Sequence, residues 1–525
     1  MATPRQPFTF GRRSLLAALG AGAGSLLATQ LPYASVRGQM RTIGYPFTLG
    51  VASGDPLPDG VVLWTRLAPN PLVEDGSGGI GGDSVPVQWQ VATDEGMRNV
   101  VQSGTVIATP QFAYSVHVEV SGLLPARVYH YRFTAVGAES PVGRTKTAPA
   151  LGDRPDRLRF AFASCQHYEQ GLYTAYQRMA GEDLDLVAFL GDYIYEGGVT
   201  PGNAPRKHNG PEIISLADYR NRYAQYKLDP HLQAAHAAFP WIVTPDDHEV
   251  ENNYANDVPQ DPAEMSAFLT RRAAAYQAYW EHLPLRASSL PMGPNAQFYR
   301  RLIFGDLADF SILDTRQYRS DQPCGDGIKP LCTEALDPNG TMTGPQQESW
   351  LLYNLASSRA RWNVIAQQTI MASLQTRNAG GMNVYGLDSW GGYPAARTRI
   401  LSTLDAIGTA NAVVITGDIH ANFAADLKLN FDDPNSRTVG VEFVGTSISS
   451  GGTGSDANPV FENARNQNPW VRYHNNRRGY VRCDLSRDVW RADYRTVAFV
   501  NQPDAPAITA ASWAVERGQP GLKPA

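Results

Sequence analysis

The sequence predicts a mixed α/β protein, α+β in overall order: a small antiparallel β-sandwich, then a larger domain whose buried sheet is covered by helices on both faces. Three observations carry that prediction. Between residues 45 and 147, short stretches alternate apolar and polar residues and are split by turn residues, as half-buried antiparallel strands do. From Leu158 onward the apolar runs become continuous, which strands tolerate only when both faces are covered. Between those runs lie long segments whose apolar residues recur at helical spacing.

The elements follow in order. In residues 1–40 the paired arginines Arg12 and Arg13 stand directly before an apolar, Ala- and Gly-rich run over 15–28, the outline of a twin-arginine export signal. The run is shorter than the roughly 20 residues a bilayer requires, so no stable membrane span is expected. Cleavage is expected within 28–40, with the folded protein handed to the twin-arginine export machinery and found in the periplasm or outside the cell. The sandwich is expected over 45–148, with strands at 61–66, 85–93, 115–120 and 129–134. Inside it, residues 76–81 (GSGGIG) have the letters of a dinucleotide fingerprint but open no helix after a strand, so they read as a loop. A proline-bearing linker at 148–155 leads to the second domain, 156–515. Its expected strands are 158–165, 184–192, 241–247, 310–316, 363–368, 412–418 and 441–446, with helices over 215–236 and 263–283.

Composition narrows the function. With 45 basic and 50 acidic residues the net charge is −5, so there is no broad positive field for nucleic acid or anionic lipid, and no nucleic-acid-binding domain is expected. Phosphate affinity must be local. Of the four cysteines, Cys324 and Cys332 flank a short loop and read as a local disulfide. Cys483 lies in an alternating stretch and reads as a buried thiol. Cys165 closes a buried strand and stands apart.

Ligands bind at the carboxyl ends of strands in such sheets, where loops hold polar groups over a rigid platform. Asp192 stands at one such end after Gly191, Asp246-Asp247-His248-Glu249 at a second, and Asp418 with His420 at a third. Singly, each is an ordinary cap or turn. Together they are hard to reconcile with structure alone, because an unpaired buried carboxylate is costly. A metal satisfies all of them. No HExxH zinc motif, phosphate-binding P-loop or Gly-x-Ser-x-Gly elbow competes.

Several of these segments occur in one order that resembles the PhoD-type alkaline phosphatases over nearly the whole chain. Residues 47–56 (FTLGVASGDP) and 61–66 (VVLWTR) are similar to that family's N-terminal part. Residues 163–166 (ASCQ), 190–196 (LGDYIYE), 246–249 (DDHE), 313–319 (LDTRQYR), 366–368 (AQQ) and 417–421 (GDIHA) are similar to its catalytic part. The resemblance implies a metallophosphoesterase-like αββα sandwich, two central sheets flanked by helices, and a site pairing Fe(III) with calcium. Cys165, Asp192, Tyr195 and His420 would hold the iron, with Asp192 bridging and Asp247 and Asp418 on the calcium side. Asp246 is the alternative to Asp247. Anionic phenolate and thiolate suit a trivalent ion, and calcium takes oxygen ligands.

The implied activity is hydrolysis of small-molecule phosphate esters. His248 is the candidate proton donor to the leaving oxygen, or else it orients Asp247. Arg316 and Arg319 either grip phosphate oxygens or form structural ion pairs. A monoesterase, a diesterase or phospholipase D, and a non-catalytic surface protein with an inert second domain are the contending readings. Intact Cys165, Asp192, Tyr195, Asp418 and His420 argue against the last.

Overall fold

A computed structural model describes residues 44–408 and 411–525; the expected export signal and cleavage site lie outside the described residues. Two large sheets face one another. One has ten strands with Arg157–Ala163, Leu186–Leu190, Pro240–Thr244 and Val51–Leu57 running parallel at its centre. The other has eight, with Ala308–Ile312, Trp362–Ala366, Ala412–Thr416 and Thr438–Val444 parallel. The alternation of side chains along a strand assigns each residue to a layer. Phe160, Phe162, Leu186, Ala188 and Leu190 meet Phe310, Ile312, Val364, Val413 and Phe443 between the sheets. Ala161, Ala163, Val187 and Phe189 face outward against Tyr176, Met179, Tyr219 and Tyr279 on helices. Ile365 and Val414 pack outward on Leu351, Ile400 and Leu404. The result is the expected αββα arrangement.

Helix limits differ from expectation where a local stop intervenes. The segment 215–236 is two helices, Leu216–Lys227 and Pro230–Ala238. Pro230 cannot continue the first helix but suits the first position of the second, and Asp229 caps the amides of His231 and Leu232 at 2.8 and 3.1 Å. Over 263–283 the α-helix occupies Phe268–His282. No helix among the described residues is long and apolar enough to cross a membrane.

The N-terminal sandwich has only one layer of its own. Val85–Ala92, Val100–Ala108, Val128–Ala135, Ala138–Glu139 and Gly143–Lys146 form a five-stranded sheet. Val51–Leu57, Gly60–Arg66 and Ser115–Val120 instead extend the ten-stranded sheet beyond Pro240–Thr244. The layers close over Val61, Leu63, Val87, Val116 and Tyr131, so 45–148 is not set apart from the rest. Gly54 permits this, because a Cβ there would stand 2.7 Å from the Trp241 carbonyl oxygen and 2.5 Å from that of Pro284. Cys324 and Cys332 are disulfide-bonded, and Cys483 is buried and free. Residues 76–81 form a turn-rich loop with no helix after it.

Candidate metal centre

The polar residues singled out by the sequence converge where parallel strands of both sheets end. Cys165 follows Arg157–Ala163, Asp192 follows Leu186–Leu190, Asp246 and Asp247 follow Pro240–Thr244, and Asp418 and His420 follow Ala412–Thr416. Ser164 bridges to Ser447, tying the two sheets together beside the site. Cys165, Asp192, Asp418 and His420 all adopt positive φ, at 58°, 59°, 62° and 56°. That region costs an L-residue about 1–2 kcal/mol, and such strain persists where surrounding structure enforces it, often at functional sites. At Gly191, φ is 100° and a Cβ would run into the Asp246 side chain, so only glycine lets these two loops meet.

Three groups of donor atoms lie within 4.8 Å of one another: Cys165, Asp192 and His420; Asp192, Asp247 and His248; and Asp246, Asp247 and Asp418. The Tyr195 hydroxyl joins the first group, donating to Asp192 Oδ2 at 2.7 Å and lying 3.1 Å from His420 Nε2. Ser450 Oγ donates to the same hydroxyl at 2.8 Å. The Tyr195 ring packs between the imidazoles of His167 and His248, with centroids 4.4 and 4.1 Å away.

Burial pushes the Asp192 carboxyl well above its usual range, and Asp247, Asp246 and Glu249 push it further while His248 opposes. Burial and then Asp246 raise Asp418 in the same way. Burial, with Asp192 next, raises both the Cys165 thiol and the Tyr195 phenol. The buried oxygens Asp192 Oδ1, Asp246 Oδ2 and Asp247 Oδ1 have no hydrogen-bond partner. A thiol, a phenol, an imidazole and unpartnered carboxylates around one point are a donor set that cations fit, and cations would reverse these shifts.

Sequence reasoning passed over the supports of this cluster. Glu249 is fully buried and accepts the backbone N–H groups of Asp192, Tyr193 and Asp246 at 3.2, 2.5 and 2.8 Å, so it joins two donor loops. Glu196, which ends the 190–196 segment, accepts from or pairs with His248 Nδ1 at 2.7 Å and accepts the Asn252 N–H at 2.7 Å. Asp388 lies in a loop with no periodic signal, yet it pairs with Arg316 at 2.8 Å and Arg319 at 3.1 Å. Both arginines are buried ion-pair members: Arg316 also holds Asp246 at 2.5 Å, and Arg319 donates to the Tyr393 hydroxyl at 3.0 Å.

Known proteins are similar to this chain over most of its length. The family model of the PhoD-like phosphatase matches residues 160–494, and that of the PhoD-like phosphatase N-terminal domain matches 33–149. Alkaline phosphatase D of Bacillus subtilis (strain 168) is 51% identical over 523 residues, 98% of this chain and 89% of that protein. A solved structure described as "Structure of PhoD" superposes with a TM-score of 0.90 at 52% identity, covering 92% of this chain and 93% of the other. The chain therefore belongs to the PhoD-like phosphatase family and is a phosphoric ester hydrolase.

Proposed function

We propose that this is an exported hydrolase of small-molecule phosphate esters with Fe(III) at Cys165, Asp192, Tyr195 and His420 and calcium at Asp247 and Asp418. The observation that carries the reading is the place of Asp192, the one member of the Cys165 and His420 group that also belongs to a group with Asp247, and so the carboxylate suited to be shared between two cations. The group containing Cys165 offers sulfur and nitrogen beside Tyr195, whereas the Asp246, Asp247 and Asp418 group offers oxygen alone, matching the preferences of iron and calcium. Asp246 remains the alternative to Asp247. When bound, the paired cations acidify water and neutralise charge on the phosphoryl oxygens.

The chain's own groups do the rest. Glu196 engages His248 Nδ1, which leaves Nε2 for the leaving oxygen. The Glu196 carboxylate 2.7 Å from Nδ1 favours a protonated imidazole, which supports His248 as the proton donor. Arg316 Nη2 makes no hydrogen bond and lies 3.6 Å from Asp247 Oδ1, which makes it the guanidinium nitrogen that could turn to a phosphoryl oxygen, while Arg319 is committed to Asp388 and Tyr393. The interval between the two family models, 149 to 160, supports a boundary in sequence near the expected one, between 148 and 156, although strands on its N-terminal side complete the ten-stranded sheet. The paired arginines before a short apolar run support export in the folded state.

Native protein assayed for iron, calcium and visible absorption tests the reading. Both metals are expected, with the colour of a ferric phenolate, and Asp192→Ala loses metal and activity together. Full activity in Asp192→Ala overturns the site. Rates on a monoester and a diester measured side by side identify the substrate class.

A further inference from the structure

The loop closed by the Cys324–Cys332 disulfide contributes no donor to the metal centre, yet it reaches the centre along one chain of hydrogen bonds, and Gln322, two residues before it, starts a second. Along the first, Asp326 Oδ2 accepts from Asn253 Nδ2 at 2.6 Å, and the Asn253 N–H donates to Asp247 Oδ2 at 2.7 Å. Gln322 Nε2 reinforces this contact by donating to the Asn253 carbonyl at 2.6 Å. Along the second, the same Gln322 amide donates to Asp388 Oδ1 at 2.8 Å, Asp388 pairs with Arg316 at 2.8 Å, and Arg316 pairs with Asp246 at 2.5 Å. The backbone adds to it: Ile328 and Lys329 pair with Gly386 and Tyr385, and the Leu387 N–H donates to the Gly327 carbonyl at 3.0 Å, one residue before Asp388.

The conformation of this loop is not one it would hold unaided. Cys324 and Asp326 both take positive φ, at 59° and 57°, and so does Asn253 at 52°. Positive φ is uphill for an L-residue, though least so for Asn and Asp. A covalent closure over a short stretch removes most of the alternatives open to the free chain. The two chains meet at Asp247 Oδ1 and Arg316 Nη2, which stand 3.6 Å apart and have no hydrogen-bond partner.

We propose that Asp326 and Gln322 are positioning residues for Asp247 and Arg316, and that the Cys324–Cys332 disulfide is the latch that keeps them in place. The proposal rests on the two-cation reading above in one respect: it assigns the latch to the calcium side. Opening the disulfide or removing the Asp326 carboxylate frees the Asn253 N–H from Asp247 and leaves the Cys165 and Tyr195 side untouched.

Hydrogen exchange on purified protein reads the latch directly, beside calcium titration of activity and the visible band. In Asp326→Ala, and in wild type treated with a phosphine reductant, amides in 251–256 exchange about tenfold faster or more, as expected for loss of a charge-assisted hydrogen bond. The calcium concentration for half-maximal activity rises by a similar factor, and the band does not move. Asp326→Asn keeps a carbonyl oxygen for Asn253 and restores part of the protection. If 251–256 stays as protected in Asp326→Ala and in reduced protein as in wild type, the latch is overturned whatever calcium does. If wild-type activity ignores calcium while these amides are still freed, the latch stands and the calcium assignment falls.

Discussion

At the scale of single residues, the site shows one imidazole held by one buried carboxylate. Glu196 engages His248 Nδ1 and the Asn252 N–H, so a donor role and a ligand role for His248 separate experimentally. His248→Ala is expected to lose about 10²–10⁴ in kcat, the usual contribution of a general acid, while iron, calcium and colour stay. Loss of metal together with kcat would make His248 a ligand. Glu196→Gln keeps the shape of the support and falls less far in the same assay. Cys165, Asp192, Tyr195 and His420 were legible because each closes or follows an apolar strand within a recognisable segment. Glu249 was not, since a carboxylate that accepts three backbone N–H groups looks in sequence like any other acid in an acidic run.

Among the secondary-structure elements, strand positions were read more easily than helix limits. Continuous apolar runs marked the parallel strands, and their shared carboxyl ends followed from sheet geometry. The interruption at Asp229-Pro230 was present in the letters, yet helical spacing ran through it and masked the break. Close approach of elements is decided at Gly191, whose φ of 100° and contact with Asp246 exclude a side chain. Gly191→Ala should cost about 2–5 kcal/mol from backbone strain and overpacking, measured by urea unfolding. Metal content is expected to fall with it, because the displaced strand end carries Asp192. A variant with wild-type stability and metal would show that the two loops have room to separate.

Across the whole molecule, stability should depend on Lys227, a lysine with 2% exposure whose Nζ lies 4.1 Å from the Trp64 ring centroid and 5.6 Å from that of Tyr193. Burial lowers its pKa from 10.5 to about 7. Between those values the unfolded chain holds a proton that the folded chain has released, so unfolding takes up a proton and stability rises with pH. The slope from one such group is at most about 1.4 kcal/mol per pH unit, and the gain is complete above the unfolded value. Lys227→Met removes this component, so its stability relative to wild type should decline steadily across that window in urea titrations. A constant difference across the window would mean that Lys227 keeps its proton in the folded state. The sequence by itself determined the chemistry on offer: which strands are buried, which acids and donors stand at their ends, and which family the segments match. Those are local properties, written in runs and neighbours along the chain. Only the tertiary structure decided that Val51–Leu57 lies beside Pro240–Thr244, that Glu249 joins two donor loops, and that Asp326 reaches Asn253. Each of these joins residues far apart in sequence or orients a side chain in space, and hydrophobic periodicity records that a face is covered without recording what covers it.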